Sequence, residues 1–251
     1  MMKRFFAIAL FVLGLGQLYA QPVRDTAWTK AGYFGLKLTQ VSLSSWSAGG
    51  ESALAFDSQI TYSADFKRDR QLWQNRLELG YGLTKNDGKS ARKTNDKIYF
   101  ASTYGYQIYK TLYWSALLNF NTQFAKGYDY NIEDSDFISK FMAPGYLMIG
   151  TGVTWSPNKI FTATFTPASW RGTIVADSRL SDEGAFGVDK GKHLLSEFGA
   201  NLKAEVNYEF LPNMKVYSRL ELYSNYLEDP QNVDVRWEVQ LNMAINKWFS
   251  T

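Results

Sequence analysis

The sequence predicts an all-β chain, an antiparallel up-and-down transmembrane β-barrel with about ten strands present. Three observations lead there. Stretches of ten or more residues alternate apolar and polar with a period of two, which sends one kind of side chain to each face of a strand. Short turns alternate with longer links between these stretches. Aromatic residues make up 16% of the chain while the mean hydropathy is slightly negative. That combination suits strands whose lipid-facing residues are offset by lumen-facing ones.

The clearest stretch is Val233 to Ile245, VDVRWEVQLNMAI. Val233, Val235, Trp237, Val239, Leu241, Met243 and Ile245 share one face; Asp234, Arg236, Glu238, Gln240, Asn242 and Ala244 share the other. Globular strands run about 5–6 residues, whereas a tilted bilayer crossing takes about 9–11. The length favours the membrane.

The chain opens with a leader. Lys3 and Arg4 precede the apolar run Phe5 to Leu15, and Leu18-Tyr19-Ala20 supplies a small residue before Gln21. Residues 1–20 therefore read as a cleaved signal peptide, and 21–251 as one β-barrel domain exported to the outer membrane. Removing Lys3 and Arg4 lowers the formal charge from +3 to +1, which offers no basic field to nucleic acid. No Cys is present, and no later stretch has the about 18–20 consecutive apolar residues of a membrane helix.

Each strand follows in turn. Phe34 to Leu43 comes first, with a break in phase near Thr39 that a bulge would explain. Ala53 to Phe66 places Leu54, Phe56, Ile60, Tyr62 and Phe66 opposite Asp57, Gln59, Thr61 and Asp65. Leu72 to Thr84 sets Trp73, Leu77, Leu79, Tyr81 and Leu83 against Gln74, Arg76 and Glu78. A longer polar link containing Asn86-Asp87-Gly88 leads to Lys97–Ile108 and Leu112–Phe124, joined tightly at Tyr109-Lys110. After an acidic loop, Gly127 to Lys140, come Tyr146–Trp155 and Ile160–Thr166. Residues 167–195 read as a long excursion rich in Gly, Asp and Ser, with room for a short strand at Gly172 to Val175. Phe198–Phe210, Lys215–Tyr226 and Val233–Ile245 complete the set.

Turns at 67–70, 109–110, 156–159 and 211–214 are short, and links at 44–52, 85–96, 125–142, 167–197 and 227–232 are longer. Outer-membrane barrels show this asymmetry between their rims.

Several segments carry a resemblance: QVSLSSWSAGGE (Gln40–Glu51), RKTNDKI (Arg92–Ile98), SALLNFNTQFAKGYDY (Ser115–Tyr130), LSDEGAFGV (Leu180–Val188) and SNYLEDPQNVDVRWE (Ser224–Glu238). On these the chain resembles an outer-membrane β-barrel family of Bacteroidetes described only as a domain of unknown function. The resemblance implies twelve strands, with a hairpin beyond the position of Lys247-Trp248-Phe249. Against that pattern the sequence ends at Thr251, as expected of a ten-strand member or of a barrel without its last hairpin. The resemblance implies no activity.

Chemistry-bearing patterns are few. His193 is the single His and lies in the excursion, without a Ser elbow or second His to form a nucleophile–base pair. One His and no Cys make a zinc site improbable. Asp129 to Asp136 lacks the spacing and glycine of a calcium loop, and Gly49-Gly50 reads as turn chemistry. We therefore expect no catalytic residues, no cofactor and no metal.

The lumen-facing charges are the informative set. They are Asp57, Asp65, Arg76, Glu78, Lys97, Lys203, Glu205, Glu209, Arg219, Glu221, Asp234, Arg236 and Glu238. At ten to twelve strands the bore is narrow, so these groups are expected to pair. The candidate network is Arg76, Glu78, Lys203, Glu205, Arg219, Glu221, Arg236 and Glu238. The expected protein is a non-enzymatic barrel with a structural or partner-binding role; a small passive solute channel and a soluble periplasmic lipid-binding barrel are the alternatives. Expected partners are outer-membrane lipid, the barrel-insertion machinery and a protein reached through the long loops.

Overall fold

Backbone pairing, more than any buried apolar core, organises the computed structural model, which describes residues 27–43, 51–132, 136–212, 214–246 and 249–250. The leader and Gly49-Gly50 lie outside the described residues. Ten long strands form an antiparallel meander: β1 (Trp28–Val41), β2 (Ala53–Arg68), β3 (Gln71–Asn86), β4 (Arg92–Tyr109), β5 (Leu112–Thr122), β8 (Gly145–Trp155), β9 (Phe161–Ile174), β10 (Leu194–Leu211), β11 (Met214–Asn225) and β12 (Val233–Asn246). A small hairpin, β6 (Gly127–Tyr128) and β7 (Phe137–Ser139), sits between β5 and β8, and the short β13 (Phe249–Ser250) pairs with β12. Helix α1 (Ser178–Glu183) and a 3-10 turn (Ala185–Gly187) fill the link from β9 to β10.

Each long strand pairs with its neighbour in sequence, as period-two segments joined by turns must when one face is set apart from the other. Among the described residues no ladder joins β1 to β12, and β1 is exposed along most of both faces. The sheet nevertheless rolls. Arg171 of β9 reaches Asp234 of β12 at 3.1 Å, across two intervening strands. Arg219 and Glu221 of β11 lie within electrostatic reach of Tyr99 on β4.

Three sequence expectations are corrected. No bulge occurs near Thr39: the β1–β2 register runs unbroken from Trp28↔Phe66 to Val41↔Ala53, so the change of phase only places Val41 on the concave face. Strand β4 starts at Arg92, which leaves a link of residues 87–91 where 85–96 was expected. A register shift against β3 between Gly82 and Leu83 hid the start of that strand.

The third correction is the largest. Strand β9 continues through residues 167–174, so the excursion is 175–193. Both neighbours shift register around Pro167, β8 between Thr151 and Val153 and β10 between Gly199 and Asn201. Proline cannot donate to a ladder, and a bulge absorbs the missing bond. The extra residue also reverses the alternation, so Phe165 and Trp170 share the convex face at an odd spacing.

The bulge forces β9 against β8 at Gly152, where an added Cβ would stand 2.0 Å from the Phe165 carbonyl oxygen. Backbone cannot yield as a flexible side chain can. Gly152→Ala is expected to cost at least about 2 kcal/mol, seen as a lower urea midpoint for loss of strand circular dichroism. An unchanged midpoint would contradict the close approach.

Among the described residues, the one apolar cluster of buried side chains lies in the loops at the rim opposite the short turns. Ala143, Val175, Leu180 and Val188 are its centre, with Phe137, Phe186 and Leu195 packed against it. The acidic loop and the excursion thus fold together as a cap.

Candidate functional site: the charged concave face

Strand alternation carries through the pairing. Trp237 lies beside Leu220 on β11, which faces Ala204 on β10, while Arg219 lies between Glu205 and Glu238 on the other face. The convex side is apolar and exposed: Trp237 is 72% and Leu241 48% accessible, and Phe198, Leu202, Ile60, Leu54 and Trp114 are exposed as well. The concave side buries Ser115, Thr164, Thr166, Ser169, Thr173, Glu197 and Asn201, with Leu117 and Tyr223 among them. This burial is inverted relative to a water-soluble protein, whose informative anomalies are buried polar groups and broad exposed apolar patches.

Hydroxyls stitch the concave face where strands crowd. Ser115 Oγ donates to Thr154 Oγ1 at 2.8 Å, which lies 3.0 Å from Thr164 Oγ1, and Ser169 Oγ donates to the Gly199 carbonyl at 2.8 Å. On the convex face each of three tryptophans finds a serine. Trp73, Trp170 and Trp237 donate their indole N–H to Ser102, Ser196 and Ser218, so these three indole protons are met in an apolar setting. Aromatic pairs gather at both rims. Trp28 packs on Phe66 and Trp73, and Trp155 on Phe161, beside the short turns; Phe198 packs on Tyr226 at the other rim.

The candidate charges pair within and between neighbouring strands. Glu78 on β3 accepts from Arg76 at 2.5 Å and from Lys97 on β4. Glu205 on β10 receives Lys203 at 3.3 Å and the Tyr217 hydroxyl at 2.9 Å. Arg219 on β11 meets Glu238 on β12 at 2.5 Å. Glu221 accepts from Asn201 at 3.3 Å. Arg236 stands opposite Glu221 in register but is exposed and forms no ion pair among the described residues.

A further cluster was not foreseen. Arg171 forks onto Glu197 with bonds of 2.7 and 2.8 Å, reaches Asp234 at 3.1 and 3.2 Å, and covers the Tyr223 ring at 3.9 Å. Bidentate geometry makes this the strongest pairing of the concave face. Arg171 and Glu197 lay in the link 167–197, where the sequence pattern dissolved, whereas Asp234 was already among the expected inward charges.

The cap above this face is held by charge. Asp177 accepts from the Leu180 N–H as N-cap of α1 at 3.0 Å and pairs with Lys140 at 2.5 Å. The Lys140 ammonium, and secondarily the Leu180 N–H, hold the Asp177 carboxyl below the usual carboxylate range. A depressed folded pKa gives stability that is present above the unfolded value and lost as pH falls through the folded one. Amide protection at Leu180 and Ser181 is therefore expected to be flat from about pH 7 to 5 and to decline below about 3.9. Exchange measured across that range checks it. His193 presents Nδ1 to the Val175 carbonyl at 2.7 Å. Among the described residues no group of three His, Cys, Asp or Glu is placed to hold a metal.

Comparison with known proteins reaches only part of the chain. No curated protein and no solved structure matches it. Residues 38–128 match the model of a family described as a protein of unknown function, DUF3078. That span runs from within β1 to the end of β6 and covers Arg76, Glu78 and Lys97, but not Arg171 or the charges of β10 to β12. Of the five segments that carried the resemblance, those beginning at Gln40, Arg92 and Ser115 fall in it wholly or mostly; those beginning at Leu180 and Ser224 lie outside. The segment 38–128 is thus similar to a domain of unknown function.

Proposed function

We propose that this chain is a non-enzymatic outer-membrane β-barrel whose rolled sheet turns its apolar convex face to lipid and its paired charges to a narrow lumen. The role is structural or partner-binding, with the folded loop cap as the contact surface. The carrying observation is the inverted burial: tryptophans and leucines outside, serines, threonines and carboxylates inside. Strand lengths of 11 to 18 residues and aromatic pairs at both rims support it, since a tilted crossing takes about 9–11 residues and aromatic girdles mark the two interfaces. Immersion in hydrocarbon requires the β1 and β12 edges to be paired, because each unmet backbone group there costs several kcal/mol.

Cell fractionation tests the reading. The mature protein is expected in the outer-membrane pellet after carbonate washing, and to migrate faster on SDS gels before boiling than after. Recovery in the soluble periplasmic fraction would overturn it and favour a soluble lipid-binding barrel. The passive-channel alternative is favoured by the polar cavity at the loop-side mouth. In planar bilayers the pairing of Glu78, Glu205 and Arg219 is expected to leave no steady open level, and a reproducible conductance would replace the structural role with a channel.

A further inference from the structure

The two rims of the rolled sheet carry charge of opposite sign. The short links 67–70, 109–110, 156–159 and 211–214 hold Lys67, Arg68, Arg70, Lys110 and Lys159 against Asp69 alone. The links of the other rim, 44–52, 87–91, 125–142, 175–193 and 227–232, hold twelve carboxylates against six cations. The whole chain has a formal charge of only +3, so the basic rim is not the overflow of a basic protein. Lys67, Arg70, Lys110 and Lys159 are exposed and enter no ion pair among the described residues.

A second observation is independent of the charge count. The same rim carries the aromatic pairs of Trp28 with Phe66 and Trp73, and of Trp155 with Phe161. The Arg70 guanidinium lies 5.1 Å from the centre of the Tyr106 ring, which stands beside Trp114 on the convex face. Arg70 Nε donates to the Gln107 carbonyl at 2.9 Å, a bond that holds the cation beside that ring. Lys110 Nζ lies 5.3 Å from the centre of the exposed Tyr109 ring. Aromatic belts sit at headgroup level, and long cationic side chains among them carry their charge to the polar layer.

We propose that the short-turn rim binds the phosphate groups of anionic phospholipids in the leaflet it faces, with Arg70, Lys110 and Lys159 making the contacts. The inference rests on the membrane reading above and names the lipid class which that reading left open. Arginine presents a planar fork to phosphate and lysine a point charge, so a rim of exposed cations needs no enclosed pocket. Each cation near an anionic membrane surface is worth about a fivefold preference. A lipid suits the rim better than free phosphate does. Its acyl chains lie against Ile108 and Trp114, which are exposed on the convex face directly beneath the charges.

The full chain is tested in phosphatidylcholine vesicles that hold a minority of phosphatidylglycerol. One or the other lipid is brominated on its acyl chains, so that it quenches the exposed Trp73, Trp114 and Trp155. Averaged over the whole circumference, the native chain is expected to take phosphatidylglycerol about threefold over phosphatidylcholine. The preference should vanish at about 1 M salt, where the Debye length is about 3 Å. Arg70→Gln, Lys110→Gln and Lys159→Gln combined are expected to bind both lipids about equally, with strand circular dichroism unchanged. Lys190→Gln with Lys192→Gln removes two exposed cations of the other rim and is expected to keep the native preference. Insertion is read separately, as faster migration on SDS gels before boiling. A chain that inserts without lipid preference overturns the proposal alone and gives the basic rim to a polyanion of the aqueous periplasm. An equal loss in the Lys190 and Lys192 variant overturns it too, whereas a chain that inserts into no vesicle overturns the barrel reading with it.

Discussion

Leu202→Arg is expected to abolish stable insertion of the protein into outer membranes. Leu202 lies on the convex face of β10, between Phe165 on β9 and Leu222 on β11, and is substantially exposed. In water an exposed leucine can become arginine at little cost. At the middle of a bilayer the same change costs about 2–4 kcal/mol. The substitution therefore separates the two environments by outcome. Loss of the protein from the carbonate-washed outer-membrane pellet, with strand content retained in detergent, is the expected pair of results. A variant that inserts normally would place this face outside the hydrocarbon.

Arg171→Ala is expected to lower stability by about 2–3 kcal/mol. Removing the guanidinium strands Glu197, which is 8% exposed, and uncovers the Tyr223 ring. The figure lies below the range for a fully buried pair because Asp234, the second acceptor, is largely in solvent and loses little. Arg171→Lys keeps the charge but not the fork, so it should fall between the two. Adding Glu197→Ala to Arg171→Ala should recover part of the loss, because no orphaned carboxylate then remains. Urea midpoints in one detergent measure all four proteins. Equal midpoints for Arg171→Ala and the native chain would mean the cluster contributes nothing to the fold.

Much of the architecture was legible because alternation is a local rule. In Val233 to Ile245 and Phe198 to Phe210 each side chain's face follows from counting by two, and the observed pairing puts Trp237, Leu202 and Val206 on one side and Glu238, Lys203 and Glu205 on the other. Pro167 is where counting failed: the bulge reverses phase, so Ser169, Arg171 and Thr173 lay in what looked like a loop although they belong to the concave wall. The site failed to read for a different reason. Which charges meet depends on stagger between neighbours and on curl across the sheet, and neither is encoded within one strand.

Local chemistry thus determined the strands, their facing and the inner position of the charges, since each follows from the period of two and the turn residues. Tertiary structure alone decided that Arg219 takes Glu238, that Arg171 reaches across β10 and β11 to Asp234, and that two distant loops share the core around Val175 and Leu180. The reason is physical: cross-strand register and sheet curvature are set by hydrogen bonds between segments far apart in the chain, and a one-residue shift moves every side chain to the opposite face.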